Sequence, residues 1–215
     1  MPRIVALADT HGYHDALTVP EGDILIHAGD LTRTGTLAQI DQAARYFAAL
    51  PHRHKILIAG NHDFGFERER AASVALLRGM TYLQDEEITV MGLRIHGSPW
   101  QPEFFDWAFN LPRGPRLAEK WSLIARGVDV LVTHGPPRNI GDRTSDGRHE
   151  GCDDLRQRIE EVAPRVHLFG HIHEARGAWT VGATRFVNCT TSDCSEAPAV
   201  IDMASDERRR TDDER

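Results

Sequence analysis

Cysteine is scarce in this sequence. Cys152, Cys189 and Cys194 are its three cysteines, and no two of them form a C-x-x-C pair. An odd number of cysteines without paired spacing argues against a disulfide framework. The pattern therefore predicts reduced thiols and a cytoplasmic protein.

Long apolar runs and an excess of positive charge are also missing. No apolar segment approaches the about 20 residues that a membrane span needs, and residues 1–7 lack the apolar region and cleavage site of a signal peptide. The net charge of −7, without a dense Lys/Arg stripe, argues against a nucleic acid as partner. It does not exclude a small phosphorylated substrate, because bound divalent cations would reverse the charge locally.

Five short apolar runs end directly at polar residues. They are residues 4–8, 24–28, 56–59, 128–133 and 166–169. Continuous apolar runs of this length are typical of strands that are buried on both faces of a sheet. In open α/β sheets, ligands bind at the edge where such strands end.

Segments whose apolar residues recur at helical spacing lie between these runs. Residues 37–47, 67–78 and 155–162 are predicted helices, and Thr36 with Gln39 fits a capping box at the start of the first one. Alternating strands follow in the remainder. This order predicts an α/β fold in which two mixed sheets pack face to face with helices outside, a four-layer α-β-β-α sandwich.

The length of 215 residues fits one domain, and we expect that domain to span residues 1–203. Residues 98–117 are proline-rich and aromatic, which predicts a long ordered loop over the site with its aromatic side chains buried. Residues 204–215 are mixed in charge and apolar-poor, so we expect a disordered tail. His52, His54 and His167 are predicted at the surface or at a strand edge.

Five polar fragments follow the predicted strands and contain most of the conspicuous metal-binding side chains. They are Asp9-Thr10-His11, Gly29-Asp30, Gly60-Asn61-His62-Asp63, Thr133-His134-Gly135 and Gly170-His171-Ile172-His173. Carboxylate oxygens and neutral imidazoles suit borderline divalent metals such as Mn²⁺, Fe²⁺ or Zn²⁺. Because a carboxylate has two oxygens, Asp30 can bridge two ions about 4 Å apart, the spacing of two-metal hydrolytic sites.

In this order the five fragments resemble those of the calcineurin-like metallophosphoesterase superfamily. Residues 97–100, 109–114 and 134–137 are similar to the branch that contains the brain-type metallophosphoesterase-domain proteins and their bacterial relatives. The resemblance covers residues 3–202 and implies the metallophosphoesterase fold. It also implies a dinuclear centre and hydrolysis of a phosphate ester by a hydroxide that bridges the metals.

The resemblance also implies how the residues divide the work. Asp9, His11 and His173 would hold the first metal. Asn61, His134 and His171 would hold the second, and Asp30 would bridge the two. His62 would be catalytic rather than a ligand, facing the phosphate, where a protonated imidazole stabilises the transition state or protonates the leaving oxygen. Asp63 is predicted to orient a histidine.

Several functional alternatives remain at this point. The expected substrate is a phosphodiester, with a cyclic nucleotide suggested by the closer resemblance, and a small nucleotide is the expected partner. A phosphomonoesterase or a nuclease of the same fold is the nearest rival. A non-catalytic assembly subunit is a further alternative, although every ligand position holds a competent residue, including His171, where some relatives have glycine.

Loop residues supply further candidates for substrate contact. They are His14, His149, Asn110, Arg113, Arg138 and Arg143. For each of them, an ordinary structural or solvated role is an equally good interpretation of the sequence. The oligomeric state is not encoded in any recognisable pattern.

Overall fold

The first of two large β-sheets has mixed strand directions. The computed structural model describes residues 1–204. The strands of this sheet are β1 (Arg3–Leu7), β2 (Ile24–Ala28), β3 (His54–Ile58), β4 (Thr81–Tyr82) and β13 (Ala199–Asp202). Their order is β13-β1-β2-β3-β4, with β1 to β4 parallel and β13 antiparallel to β1.

The second large sheet is also mixed. Its strands are β5 (Glu86–Val90), β6 (Leu93–Ser98), β9 (Val130–Thr133), β10 (Val166–Phe169), β11 (Gly177–Val181) and β12 (Thr184–Asn188). The order is β11-β12-β10-β9-β6-β5, with four parallel strands inside and an antiparallel strand on either side. A small parallel pair joins β7 (Gln101–Pro102) to β8 (Asn110–Leu111).

Helices cover the outer faces of both sheets. They are α1 (Leu37–Ala49), α2 (Phe64–Arg68), α3 (Arg70–Ala75), α4 (Pro115–Ser122) and α5 (Asp153–Val162). Between the sheets, Ile26 of β2 packs in one apolar cluster with Val132 of β9 and Leu168 of β10. Separate apolar clusters join α1 and α2 to the first sheet, and α4 and α5 to the second. The predicted four-layer α-β-β-α sandwich of two mixed sheets is confirmed.

Helix α1 begins where the capping residues predict. The Thr36 hydroxyl accepts a hydrogen bond from the backbone N–H of Gln39 at 3.3 Å, satisfying one free donor of the first turn. The Gln39 side chain does not return to Thr36; its Oε1 accepts from the backbone N–H of Thr34 at 3.0 Å. Only one of the two hydrogen bonds of a capping box is therefore present. The helix buries Phe47 against the first sheet.

Two predicted segments differ from the structure. The expected helix over residues 67–78 is two short helices, because the backbone breaks at Glu69 (φ −135°, ψ 46°). The predicted loop 98–117 contains β7, β8 and the start of α4, and its first part is anchored by Asp85. That carboxylate accepts hydrogen bonds from Ser98, Trp100 and Lys120 at 2.7–3.0 Å.

The aromatic side chains of this loop are not all buried, contrary to the prediction. Phe109 is fully buried, but Phe104 is 52% exposed and Phe105 77% exposed. The predicted tail, residues 204–215, lies outside the described residues except for Ala204, so its expected disorder stays a prediction. Within residues 1–204 no helix is long and apolar enough to cross a membrane.

His167 is buried in β10, and its predicted position at the surface or strand edge is wrong. It is fully inaccessible to solvent, its ring lies beside Phe169 and Phe186, and its Nε2 is 2.8 Å from the hydroxyl of Thr133. Burial lowers the pKa of His167 from 6.5 to about 3. The burial of His167 could not be predicted from its residue type, because His167 is the one polar residue of a strand that is buried on both faces.

A buried neutral histidine makes stability depend on pH. Below its unfolded pKa of 6.5, His167 takes up a proton in the unfolded chain but not in the folded protein. Its contribution is therefore complete above that value and is lost as pH falls toward 3, at about 1.4 kcal/mol per pH unit. In urea unfolding of metal-free protein, the loss between pH 7.5 and 5.5 should be about 1.4 kcal/mol smaller in His167→Gln. His54→Gln, at the partly exposed start of β3, is the control, and an unchanged loss in His167→Gln contradicts the prediction.

Candidate metal centre

The polar fragments converge at one edge of the sandwich. Asp9 follows β1, Asp30 follows β2 and Asn61 follows β3, all in the first sheet. His134 follows β9 and His171 follows β10, in the second sheet. The parallel strands end on the same side, so ligands from both sheets meet where the inner faces open to solvent.

The backbone at these positions is unusual. Asp9, His11, Asp30 and His171 all have positive φ, at 56°, 43°, 56° and 70°. Non-glycine residues rarely adopt this left-handed conformation, and such residues cluster at functional sites. Gly60 is required for a different reason, since a Cβ there would collide with the backbone and carboxylate of Asp30.

One group of ligand atoms joins Asp9, His11 and His173, and these atoms all lie within 4.8 Å of one another. His173 Nε2 is 3.7 Å from Asp9 Oδ1. Asp9 is fully buried, and its two oxygens accept from the backbone N–H of His171 at 3.0 and 3.2 Å. The three residues predicted for the first metal are thus brought together.

A second group joins Asp30, His134 and His171, within the same 4.8 Å limit. His134 Nδ1 donates to the carbonyl of Ala28 at 3.0 Å, so Nε2 is the ring nitrogen that faces the other ligands. That nitrogen lies 2.9 Å from Asn61 Oδ1 and 3.4 Å from Asp30 Oδ2. All the residues predicted for the second metal therefore meet at one point.

Asp30 connects the two groups through a single oxygen. Its Oδ2 is 3.7 Å from His11 Nε2 and 3.4 Å from His134 Nε2. Its Oδ1 instead accepts from the backbone N–H of His62 at 2.8 Å. Asp30 therefore occupies the shared position expected of the bridging residue, with one oxygen facing both groups rather than one oxygen for each.

The donor set fits divalent cations. Two ligands about 2.1 Å from one ion lie roughly 3.0–4.2 Å apart in tetrahedral or octahedral geometry, and the His–Asp pairs here are 3.4–3.7 Å apart. Burial acts to raise the pKa of Asp30, but the neighbouring His134, His11 and His62 outweigh it and hold the pKa well below its usual range. Burial, with the adjacent His134, lowers the pKa of His171 to about 4, so its imidazole is neutral at pH 7. Ionised carboxylates and neutral imidazoles are the protonation states that metals require. Although burial acts to lower the pKa of His134, the neighbouring Asp30 raises it to about 9, so a metal ion bound at its Nε2 would displace a proton.

His62 lies beside the shared aspartate. Its Nδ1 donates to the carbonyl of Arg33 at 2.8 Å, which leaves Nε2 free. The ring packs against Trp107, tilted by 40° with 4.1 Å between centroids, and meets His11 edge-on at 4.5 Å. A ring nitrogen of His62 also lies within ligand range of His11 and Asp30. Distance alone does not separate a ligand role from a role on the phosphate, and the predicted catalytic role stays a prediction.

Asp63 does not contact a histidine, so its predicted role was wrong in detail. Its buried carboxylate accepts from the backbone N–H groups of Leu31, Thr32 and Gly60 at 2.9–3.1 Å. It also accepts from the Thr32 hydroxyl at 2.7 Å. Asp63 thereby joins the loop after β2 to the loop after β3, and so fixes the backbone that carries Asp30.

The remaining histidine candidates lie away from the centre. His14 is buried, with its ring against Tyr46 and Phe47, and does not line a cavity at the metal ligands. His149 pairs with the buried Asp142 at 2.7 Å.

The four loop candidates for phosphate or base contact are spread around the centre. Asn110 donates to backbone carbonyls of its own loop, and Arg138 donates to the carbonyl of His149. Arg143 lines a further cavity of about 490 Å³. Arg113 lines the cavity beside His171, where it also donates to the carbonyls of Glu150 and Gly151.

Five residues that line the cavity above the first group of ligands were not predicted as site residues from the sequence. This cavity has a volume of about 430 Å³ and also contains His11, His62 and His173. The five residues are Tyr13, Arg33, Thr34, Trp107 and Asp193. Only Asp193 had a sequence signal, since Thr190-Thr191-Ser192-Asp193 is a polar run after a strand, like the other five.

The fold and the site together indicate a metal-dependent hydrolase: two packed sheets carry two groups of potential metal ligands, and Asp30 of the second group lies beside His11 of the first. Residues 2–175 match the family described as calcineurin-like phosphoesterase, and the chain belongs to that family. It is therefore a metal-dependent phosphoesterase.

Individual relatives agree with this assignment. The chain is 40% identical to human metallophosphoesterase domain-containing protein 1, covering 94% of this chain and 71% of the human protein. A UPF0046 protein of Caenorhabditis elegans is 37% identical, covering 89% of this chain and 75% of the worm protein. A phosphopantetheinyl hydrolase structure from Mycobacterium tuberculosis superposes with a TM-score of 0.61 at 16% identity, covering 91% of each chain. That structural similarity concerns the fold alone.

The geometry predicts two divalent ions per chain, with Asp30 serving both. Asp30→Asn should weaken both sites at least about tenfold, because it removes the shared anionic oxygen. Asp9→Asn, which alters the first group alone, should weaken one site and is the matched control. Metal content by mass spectrometry and calorimetric titration with Mn²⁺ measure both effects. A wild-type stoichiometry of one ion, or loss of a single site in Asp30→Asn, contradicts the prediction.

Proposed function

We propose that this protein hydrolyses a phosphodiester, with a cyclic nucleotide as the leading candidate substrate. The observation that supports this most directly is the pair of ligand groups sharing Asp30 beneath a cavity lined by His62. Two divalent ions held there would supply a nucleophilic oxygen near neutral pH and neutralise charge on the phosphoryl group. The protein supplies the geometry and the remaining proton transfer.

Seven residues are proposed to hold the two ions. For the first ion they are Asp9, His11 and His173. For the second they are Asn61, His134 and His171, and Asp30 serves both. The oxygen and nitrogen donors suit Mn²⁺, Fe²⁺ or Zn²⁺, and no thiolate takes part. The three cysteines are free, and none belongs to either ligand group.

His62 is proposed to act on the substrate from the side of the first ligand group. Its Nδ1 is occupied by the carbonyl of Arg33, so a proton on Nε2 can be donated to a leaving oxygen. Close packing against Trp107 restricts the rotation of the ring. A fixed proton donor of this kind acts mainly in the transition state.

The preference for a diester rests on two cavities that reach the centre at different ligands. The cavity of about 430 Å³ lies beside His11 and Trp107, and a smaller one of about 180 Å³ lies beside His171 and Phe104. A diester carries two substituents on phosphorus, and each cavity can take one of them. Phe104 is 52% exposed beside His171 and offers an apolar surface to a nucleoside.

A purely structural role is disfavoured by the chemistry of the ligand groups. Asp9 is fully buried and Asp30 is 2% exposed, and buried carboxylates facing histidines are costly to keep unless they bind something. Cytoplasmic localisation is proposed on the grounds given by the cysteine pattern, and a small phosphorylated partner, such as a nucleotide, on the resemblance of the sequence motifs.

Substrate preference is tested with three compounds in the presence of Mn²⁺. Bis-p-nitrophenyl phosphate and 3′,5′-cyclic AMP should be turned over with a higher kcat/KM than p-nitrophenyl phosphate, because the monoester fills one cavity only. Asp30→Asn is the control for contaminating phosphatases. A higher kcat/KM for the monoester would reject the diesterase proposal in favour of a monoesterase.

Substitution of the adjacent residues Asn61 and His62 should lower the activity for different reasons. Asn61→Ala should lower metal content, and added Mn²⁺ should restore part of the activity. His62→Ala should keep both ions and lower kcat roughly 10²–10⁴-fold, the scale expected for a lost proton donor. Metal content and kcat are measured side by side on both variants.

The leaving group separates two roles for His62. If it protonates the leaving oxygen, the loss should be larger for an alkoxide leaving group than for p-nitrophenolate, which needs no proton. Loss of an ion in His62→Ala would show instead that His62 is a ligand.

A further inference from the structure

The segment that follows β12 brings an additional carboxylate to the first group of ligands. Asp193 Oδ1 lies 3.8 Å from His11 Nε2, and the same nitrogen lies 3.7 Å from Asp30 Oδ2. His11 Nε2 therefore faces a carboxylate on two sides. Asp193 belongs to none of the sequence fragments that supply the seven ligands, and its side chain is 54% exposed at the cavity mouth.

The chain holds this carboxylate by an unusual turn. Ser192, Asp193 and Cys194 have φ values of 46°, 57° and 68°, three consecutive left-handed residues without a glycine. A non-glycine residue in this conformation is disfavoured, so the surrounding contacts must hold the turn in place.

Three residues of this segment contact the loop that carries the first metal ligands. The backbone N–H of Asp193 donates to the carbonyl of Asp9 at 3.1 Å. Thr191 donates through its backbone N–H and its hydroxyl to the carbonyl of Ala8, at 2.9 and 2.8 Å. The Cys194 thiol lies 3.7 Å from the carbonyl of Thr10. Asp193 is therefore fixed to the same backbone as Asp9 and His11.

We propose that Asp193 is an additional acidic group of the first metal site, which makes that site the tighter of the two. With Asp193, three carboxylates face the first site, namely those of Asp9, Asp30 and Asp193. Only the carboxylate of the shared Asp30 faces the second site. Oxygen donors and negative charge favour hard divalent cations such as Mn²⁺ over softer ones. The two ions should therefore bind with different affinities, the first site filling first.

The test is a titration of metal-free protein with Mn²⁺ alone, with free Mn²⁺ followed by electron paramagnetic resonance. The wild type should show a tight and a weaker site. Asp193→Asn should weaken the tight site about 10–100-fold, the range for groups that support metal ligands, and leave the weaker site within threefold. Asparagine tolerates left-handed backbone, so the turn is kept.

Glu196→Gln is the matched control. Glu196 belongs to the same segment, and its carboxylate faces Arg176 at 3.7 Å rather than the cavity. Glu196→Gln removes the same charge, but outside the cavity. It should therefore shift the Mn²⁺ affinity of either site less than twofold. A second variant, Asp193→Ser, repeats the test with a side chain that is neutral and smaller.

Three outcomes overturn the inference. The first is a tight site in Asp193→Asn within twofold of the wild type, and the second is an equal shift in Glu196→Gln. The third is a lower melting temperature of metal-free Asp193→Asn with unchanged Mn²⁺ affinity, which would make the His11 contact merely structural. The inference rests on the two-metal centre of the proposed function. If the wild type binds no Mn²⁺, that function fails; if wild type and Asp193→Asn bind Mn²⁺ alike, only this inference fails.

Discussion

The carboxylate of Asp30 lies between two sheets, almost without access to water, and both of its oxygens are engaged. One oxygen accepts the backbone N–H of His62, and the other faces His11 and His134. A buried charge of this kind is retained only where donors or cations surround it. The left-handed loop at Asp30, the glycine that approaches it and the support from Asp63 all serve to place this one group.

The centre also joins the two sheets. The inner faces of the sandwich are otherwise apolar, and apolar contacts permit sliding more readily than directed hydrogen bonds do. At the site, Asp9 from the first sheet accepts from the backbone of His171 in the second, and His134 from the second donates to Ala28 in the first. These contacts cross the interface in both directions. They hold the ligands from the two sheets at fixed distances, which a two-metal site requires.

The strands and the four layers could be predicted because apolar runs that end in polar residues indicate both burial and position. Which polar residues form each ligand group was implied by the resemblance of the motifs. Prediction from the sequence failed where tertiary packing overrides a local pattern. Glu69 interrupts a well-patterned helix, and Phe104 stays exposed in an aromatic loop. His167 is buried because its strand is central, which its own chemistry does not reveal. Asp193 lies in a polar run after a strand, but its distance from His11 depends on a turn that no composition rule predicts.

The two sheets take their metal ligands from distant parts of the chain, so these ligands are synthesised at different times. Asp9 and its partner His171 are 162 positions apart in the chain. At about 5–20 residues per second, a ribosome needs roughly 8–32 s to cover such a distance. Asp9 and Asp30 are therefore synthesised before His134 and His171 of the second sheet. The seven proposed ligands can come together only after the segment through His173 has emerged, so the cation site is completed late in synthesis.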